Sequence, residues 1–116
     1  MNVIIIENSA ILKERYTRLL SSIISIEMLT LGSYSKKSIK FIQNINPDVI
    51  IIAQNLDTNI KFKLIKEFNS NIKIINLYSK PFNQKHEKYK NCGADCNLDK
   101  STEFNKLFGI FQELNT

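Results

Sequence analysis

The chain has 116 residues, close to the commonest size of a single domain and enough to bury one hydrophobic core. No apolar run approaches the roughly 18 residues of a membrane-spanning helix, and the first residues lack the basic region and cleavage site of a signal peptide. We therefore expect one cytoplasmic domain over residues 1–116. The net charge of +5 at pH 7 permits nucleic-acid binding. The lysines are nevertheless spread along an Ile-, Asn- and Lys-rich chain, with one local concentration at Lys80, Lys85, Lys88 and Lys90, so most should be solvated surface charges.

Short apolar runs alternate with amphipathic segments, a pattern typical of βα units around a parallel sheet. The unbroken apolar character of the first run indicates a strand that is covered on both faces. In chain order, the predicted elements are strand 2–6, a helix capped by Ser9 that ends near Ser22, strand 26–31, helix 35–44, strand 49–53, helix 60–68, strand 72–77, helix 83–91, strand 94–98 and a last helix that is capped by Ser101 or Thr102 and ends near Leu114.

Helical spacing identifies the side chains that should face the core. In the first helix and just beyond it, they are Leu12, Tyr16, Leu19, Leu20 and Ile23. In the second helix, they are Ile39, Phe41 and Ile42. Five βα units with right-handed crossovers predict an α/β flavodoxin-like, doubly wound fold with strand order 2-1-3-4-5. A ligand crevice is expected at the carboxyl ends of strands one and three.

The one histidine and the two cysteines of the chain are its candidate zinc ligands. His86, Cys92 and Cys96 form a His-x5-Cys-x3-Cys pattern, which lacks a fourth ligand and matches no usual zinc spacing. We predict no metal site and expect both cysteines to be reduced thiols. The chain also lacks a Gly-rich phosphate loop, and no cofactor is predicted.

Two stretches of the sequence resemble a known family. Pro47-Asp48, four apolar residues and then Ala53 resemble the third strand of the receiver domains of response regulators. The run Gly93-Ala94-Asp95-Cys96-Asn97-Leu98-Asp99-Lys100 resembles the segment that forms their fifth strand and the residues around it. The intervals between strand one, Ala53, Tyr78 and Lys100 also suit this family, so the resemblance extends over nearly the whole chain.

The resemblance implies a phosphorylation site that this chain has largely lost. In receiver domains, an aspartate that ends strand three accepts a phosphoryl group from a histidine kinase, and an acidic pair after strand one holds magnesium. This chain has Ala53 at the acceptor position and Glu7-Asn8 at the pair. Asn55 occupies the position that lends a backbone carbonyl to the metal, and Lys100 keeps the place of the lysine that contacts the phosphoryl group.

The remaining positions of the implied site are also altered. Tyr78 stands where a Thr or Ser normally ends strand four, and Asn97 stands where the switch aromatic lies in strand five. Asp57 is the nearest other carboxylate, but it lies beyond the strand end and is not expected to replace the acceptor. Because a lysine that faces a partly buried pocket needs an anion, we expect Lys100 to pair with Glu7.

The missing acceptor predicts a phosphorylation-independent pseudo-receiver, which would be a protein-interaction or dimerisation module in bacterial signal transduction or transcriptional regulation. The resemblance places the partner surface on the helix at 83–91, strand five and the last helix. Its candidate contact residues are Lys80, Lys85, Lys88, Tyr89, Lys90 and Asn97. A basic surface suits an acidic protein partner, although an ordinary solvated helix surface explains these lysines equally well.

Two other functions remain open from the sequence. An atypical receiver could be regulated by a small anion or a nucleotide at the Lys100 pocket. An enzyme is the weakest alternative, because the chain has no Ser-His-Asp set and no acid pair. No enzymatic activity is predicted. Receivers commonly connect to an effector after their last helix, so the chain is expected to be either a stand-alone protein or the N-terminal domain of a longer regulator. Nucleic acid would then be contacted only through a separate C-terminal domain.

Overall fold

The computed structural model describes residues 1–23, 26–32, 36–53, 59–78, 93–100 and 102–114. These residues form the strands β1 (Asn2–Ile6), β2 (Glu27–Leu31), β3 (Val49–Ile52), β4 (Lys73–Tyr78) and β5 (Cys96–Asp99). They also form the helices α1 (Ala10–Leu20), α2 (Lys36–Ile45), α3 (Asn59–Phe68) and α4 (Lys106–Leu114). None of the helices in these ranges is long and apolar enough to cross a membrane. The helix predicted at 83–91 lies outside the described residues.

The five strands form one parallel sheet in the order β2-β1-β3-β4-β5. The predicted flavodoxin-like architecture and strand order are therefore confirmed. The register aligns Ile6 at the end of β1 with Ile52 at the end of β3. One residue further on, the Ala53 N–H donates to the Ile6 carbonyl at 2.9 Å. The segments that follow β1 and β3 are thus neighbours at the carboxyl edge of the sheet.

Helices cover both faces of the sheet, and each face has its own core. Alternate residues of a strand point to opposite faces, so Ile5 joins one core while Ile4 and Ile6 join the other. The first core includes the residues Tyr16 and Leu20 from α1 and Leu107 and Phe111 from α4. The second core includes Ile42 from α2 and Phe62 and Ile65 from α3. This arrangement explains why the apolar runs of β1 and β3 are unbroken.

The structure confirms the predicted start of α1 and corrects the predicted orientation of α2. Ser9 is the N-cap of α1 as predicted, and its hydroxyl oxygen accepts the Leu12 N–H at 3.3 Å. In α2, the prediction that Phe41 faces inward is wrong, because 47% of this residue is exposed. Ser38 and Ile42, which are four residues apart, are buried instead. Neighbouring residues of a helix differ by about 100° in direction, so Ile42 and Phe41 cannot both face the sheet fully.

The last helix begins later than the sequence predicted. Residues 102–105 form turns, and α4 starts at Lys106 rather than directly after a cap at Ser101 or Thr102. The Glu103 carboxylate accepts the Asp99 N–H at 3.1 Å, and the Lys106 N–H donates to the Glu103 carbonyl. These local hydrogen bonds hold the chain in turns and delay the helix. Ser101 lies outside the described residues.

An ion pair joins the end of α3 to the start of β5. The Lys66 ammonium donates to Asp95 Oδ2 and to the Ile72 carbonyl, both at 2.7 Å. Asp95 Oδ2 also accepts the Ile74 N–H at 2.7 Å. Burial by itself would raise the pKa of Asp95, but the hydrogen bonds from Lys66 and Ile74 and the charges of Lys66 and Lys73 outweigh it and lower the pKa.

Replacing Asp95 with Asn should destabilise the protein by about 0.5–1 kcal/mol, because the pair is only partly screened from water. The lowered pKa means that the native protein binds a proton at Asp95 less readily than the unfolded chain. The contribution is therefore fully present above the unfolded pKa, near 3.8, and is lost as the pH falls through the folded value. Urea unfolding at neutral and acidic pH measures both effects.

The matched control is Glu14→Gln, which removes an ion pair with Arg18 whose side chains are 63% and 79% exposed. This change should cost less than about 0.5 kcal/mol at neutral pH. Equal losses from Asp95→Asn and Glu14→Gln would show that the contacts of Asp95 add nothing beyond a surface charge pair.

Candidate functional site

The candidate site lies at the carboxyl edge of the sheet, where the chain leaves β1, β3 and β5. Glu7 follows β1 and is 1% exposed, and Ala53 follows β3 and is 2% exposed. Lys100 follows β5 and reaches across to both of them. The structure thus brings together three of the residues that the sequence assigned to the pocket. Asn8, a fourth, is exposed to solvent.

Lys100 is held by two oxygen atoms. Its ammonium donates to the Ala53 carbonyl at 2.8 Å and lies 3.5 Å from Glu7 Oε1. The predicted Glu7–Lys100 ion pair is therefore present, although the shorter contact is with the main chain of Ala53. The side chain of Lys100 is 15% exposed and that of Glu7 is 1% exposed. The pair is largely shielded from water, so its electrostatic attraction is stronger than that of a surface pair.

Two further donors bind the Glu7 carboxylate. The Tyr16 hydroxyl donates to Oε1 at 2.9 Å, and the Ser9 N–H donates to Oε2 at 3.3 Å. Burial raises the pKa of the Tyr16 hydroxyl far above its usual value, and the charge of Glu7 and its acceptance of the hydrogen bond raise it further, against a small opposing effect of Arg15. Tyr16 therefore stays neutral and donates a hydrogen bond to Glu7 throughout the physiological range.

Tyr16 is a site residue that the sequence interpretation missed. It was assigned to the apolar face of the first helix, and its ring does lie in the core, 5.1 Å from the Phe104 ring between centroids. The available signal was its hydroxyl, because a buried tyrosine usually needs a hydrogen-bond partner. The helix α1 begins at Ala10, three residues after Glu7, and Tyr16 lies in its second turn, where its hydroxyl reaches the Glu7 carboxylate.

Tyr78 ends β4 at the position where a small hydroxyl residue was expected from the family. The residue is 1% exposed, and its carbonyl accepts the Lys100 N–H at 2.9 Å. The backbone therefore holds Lys100 beside the end of β4, as in the predicted register. A tyrosine side chain is much larger than that of Thr or Ser, and it is packed within the protein rather than exposed at the crevice.

A pair of asparagines lies deeper in the sheet, between β4 and β5. The Asn76 side-chain amide donates to Asn97 Oδ1 at 3.1 Å. Asn76 is 1% exposed and is a second residue that the sequence interpretation missed, since it stands inside an apolar run. Asn97, which was assigned from the sequence to the partner surface, is half-buried, and its side-chain oxygen accepts this hydrogen bond from β4.

Several predicted residues lie outside the described part of the chain. They are Asn55, Asp57, Lys80, Lys85, His86, Lys88, Tyr89, Lys90 and Cys92. Cys96 is half-buried, and the pKa of its thiol is raised by burial and by the charges of Glu103 and Asp95. Within the described ranges, no three His, Cys, Asp or Glu side chains form a group that could hold a metal ion.

The described residues at the sheet edge do not fit magnesium, the ion that the fold family implies. Magnesium needs hard oxygen ligands in near-octahedral geometry. Ala53 has no side-chain oxygen, and Asn8 is exposed. The Glu7 carboxylate already accepts from Tyr16 and Ser9 and faces the Lys100 ammonium. A cation in this position would have to displace the lysine.

No protein-family model and no curated protein matches the chain. Its structure is similar to several solved structures of receiver domains. One is a DNA-binding response regulator of the LuxR family from Staphylococcus aureus, with 20% identity over 99% of this chain and 98% of that chain and a TM-score of 0.77. Another is the signal receiver domain of a DNA-binding response regulator from Colwellia psychrerythraea, with 17% identity over 98% of this chain and 97% of that chain and a TM-score of 0.80.

A third similar structure is an orphan response regulator of H. pylori, which is 18% identical over 97% of this chain and 94% of that chain, with a TM-score of 0.76. At these identities, the similarity establishes the fold. The chain has the CheY-like fold of receiver domains.

Proposed function

We propose that this chain, which has the fold of response-regulator receiver domains, is a cytoplasmic, non-enzymatic pseudo-receiver that works without phosphorylation. It would act as a protein-interaction or dimerisation module in bacterial signal transduction or transcriptional regulation. The observation that carries the proposal is the site at Ala53. A methyl group stands where phosphoryl transfer needs a nucleophile, and the nearby Lys100 ammonium is bound to the Ala53 carbonyl at 2.8 Å.

The chemistry of phosphoryl transfer depends on positioning and on charge neutralisation around a nucleophile. Alanine cannot attack phosphorus, and Glu7 is occupied by Tyr16, Ser9 and Lys100. The family's basic residue is therefore neutralised from within the protein. The same contacts weaken the alternative of an anion or nucleotide at Lys100, because such a ligand would have to compete with Glu7.

A receiver fold without its reaction still offers surfaces for binding. Two of the similar structures are of DNA-binding response regulators. By analogy, this chain would contact a protein partner or a second copy through the surface that carries residues 80–90 and Asn97. Nucleic acid would be reached only through a separate C-terminal effector domain. No membrane partner is proposed.

Incubation with acetyl phosphate and magnesium should leave the intact mass of the protein unchanged, because the described site offers neither a nucleophile nor a metal-binding set. The measurement is intact-protein mass spectrometry, with a receiver that keeps its acceptor aspartate treated in parallel as the positive control. A mass increase of one phosphoryl group that hydroxylamine removes would contradict the proposal. Peptide mapping of that adduct to Asp57 would identify a substitute acceptor.

A further inference from the structure

An apolar groove lies between α2 and α3, which pack on the same face of the sheet. Its volume is about 100 Å³, and it is lined by Ile39, Ile42, Gln43, Leu64, Ile65 and Phe68. Leu64 and Phe68 are 45% and 41% exposed. Ile42 and Ile65 form its buried floor. Large apolar side chains that border a concave site are typical of surfaces that bind another molecule.

The same two helices carry the excess charge of the protein. Together, α2 and α3 contain six lysines and one acidic residue, Glu67, which gives them a formal net charge of +5. The whole chain also has a net charge of +5, so its other residues contain equal numbers of acidic and basic side chains. One of the six lysines, Lys66, is bound to Asp95. The two helices that form the apolar groove are therefore strongly basic, with a formal net charge of +5 over their 20 residues.

We infer that the groove binds an acidic amphipathic helix of a partner protein. Apolar side chains of that helix would fill the space between Leu64, Phe68 and Ile39. Its carboxylates would face the exposed lysines of the two helices, Lys37, Lys40 and Lys63. Charge complementarity selects this occupant, because a second copy would bring two basic surfaces together. An apolar groove also suits a protein segment better than a nucleic acid, which binds basic surfaces mainly through phosphates.

This inference rests on the proposed role as a protein-interaction module and adds a surface and a partner chemistry to it. It concerns α2 and α3, whereas the surface proposed by analogy carries residues 80–90 and Asn97. It also does not require that the Ala53 pocket be inert. The two claims can therefore fail separately.

The test begins with an unbiased peptide selection against the immobilised chain. A display library of random peptides about 16 residues long, or roughly four helical turns, offers every charge and pattern equally. The selected peptides should be acidic and should have apolar residues at helical spacing. Their affinity for the protein in solution, measured by fluorescence anisotropy, should fall as the salt concentration rises.

Substitutions on the surface then locate the binding site. Leu64→Ser combined with Phe68→Ser should weaken binding of the selected peptides at least about tenfold, because each side chain loses its apolar contact area. Phe41→Ser is the matched control, since Phe41 lies on the neighbouring helix α2 and is 47% exposed but is not among the residues that line the groove. Lys40→Glu should weaken binding, and Lys13→Glu on α1 should leave it within about twofold of the original.

The circular dichroism spectrum and melting temperature of each variant establish that it is folded, and all the substituted side chains are at least partly exposed. The inference is wrong if the selected peptides are not acidic, or if the groove variant binds them as well as the Phe41→Ser control does. It is also wrong if duplex DNA binds more tightly than every selected peptide.

If sedimentation experiments show a dimer, and the Leu64→Ser and Phe68→Ser substitutions dissociate it, the groove binds a second copy of the chain instead. A phosphoryl adduct in the acetyl phosphate experiment would refute the proposed function and leave the peptide result standing.

Discussion

Replacing Glu7 with Gln should destabilise the folded protein by about 1–3 kcal/mol, because it leaves the Lys100 ammonium in a largely buried site without an anion. The glutamine oxygen can still accept from Tyr16, and Lys100 keeps its hydrogen bond to the Ala53 carbonyl. The loss should therefore lie below the roughly 3–5 kcal/mol that removal of a fully buried partner can cost. Urea unfolding at neutral pH measures it.

The reciprocal change, Lys100→Met, leaves the Glu7 carboxylate with the Tyr16 and Ser9 donors among the described residues and should also destabilise the protein. The double variant should recover part of the loss, because neither charge is then left without its partner. A coupling energy of at least about 0.5 kcal/mol in the double-mutant cycle would support the internal ion pair. Additive effects of the two changes would show that Lys100 interacts chiefly with water and with the main chain.

The single substitution Ala53→Asp should not restore phosphorylation. It returns a carboxylate at the acceptor position, but Asn8 remains a poor magnesium ligand and Tyr78 still replaces a small hydroxyl residue. The new carboxylate would also stand in a 2% exposed position, in a site where Lys100 already pairs with Glu7. We expect no adduct with acetyl phosphate and a loss of stability of about 1–3 kcal/mol.

Adding further substitutions to Ala53→Asp one at a time shows which altered residue of the site prevents phosphorylation. Asn8→Asp should be added to Ala53→Asp first, and Tyr78→Thr should follow, each with acetyl phosphate and magnesium and with intact mass as the measurement. Phosphorylation should appear only in the combined variants, because Glu7 is already bound by Tyr16, Ser9 and Lys100 and the metal needs a further carboxylate at position 8. Efficient magnesium-dependent phosphorylation of Ala53→Asp alone would show that the acceptor was the one essential loss.

The sheet could be predicted from the sequence because its strands are buried on both faces. The apolar runs at Ile4–Ile6 and Ile50–Ile52 leave little freedom in where β1 and β3 lie, and right-handed crossovers then determine the strand order. Parallel strands also bring their carboxyl ends to one edge. The meeting of Glu7, Ala53 and Lys100 follows from this topology and could be expected from their places in the chain.

Contacts that depend on side-chain direction could not be predicted in the same way. The periodicity of α2 allowed Phe41 or Ser38 to face the sheet, and the polar residue was buried instead. Tyr16 was recognised as a core residue, but nothing in its spacing showed that its hydroxyl would reach Glu7. The turns before α4 contain hydrogen bonds from the Asp99 N–H to the Glu103 carboxylate and from the Lys106 N–H to the Glu103 carbonyl, which the candidate cap residues did not predict.

The location of the net charge on α2 and α3 also affects how the protein diffuses toward other molecules. Two neighbouring helices with a formal net charge of +5 attract an approaching polyanion before any contact is made. Such steering can raise an association rate by ~10–10³-fold, and it operates over roughly a Debye length, ~8 Å at physiological salt. An acidic macromolecule would thus be drawn toward the side that carries the groove, whereas an uncharged one would not. Selection among molecules in solution begins during the encounter, before any side chain has been buried.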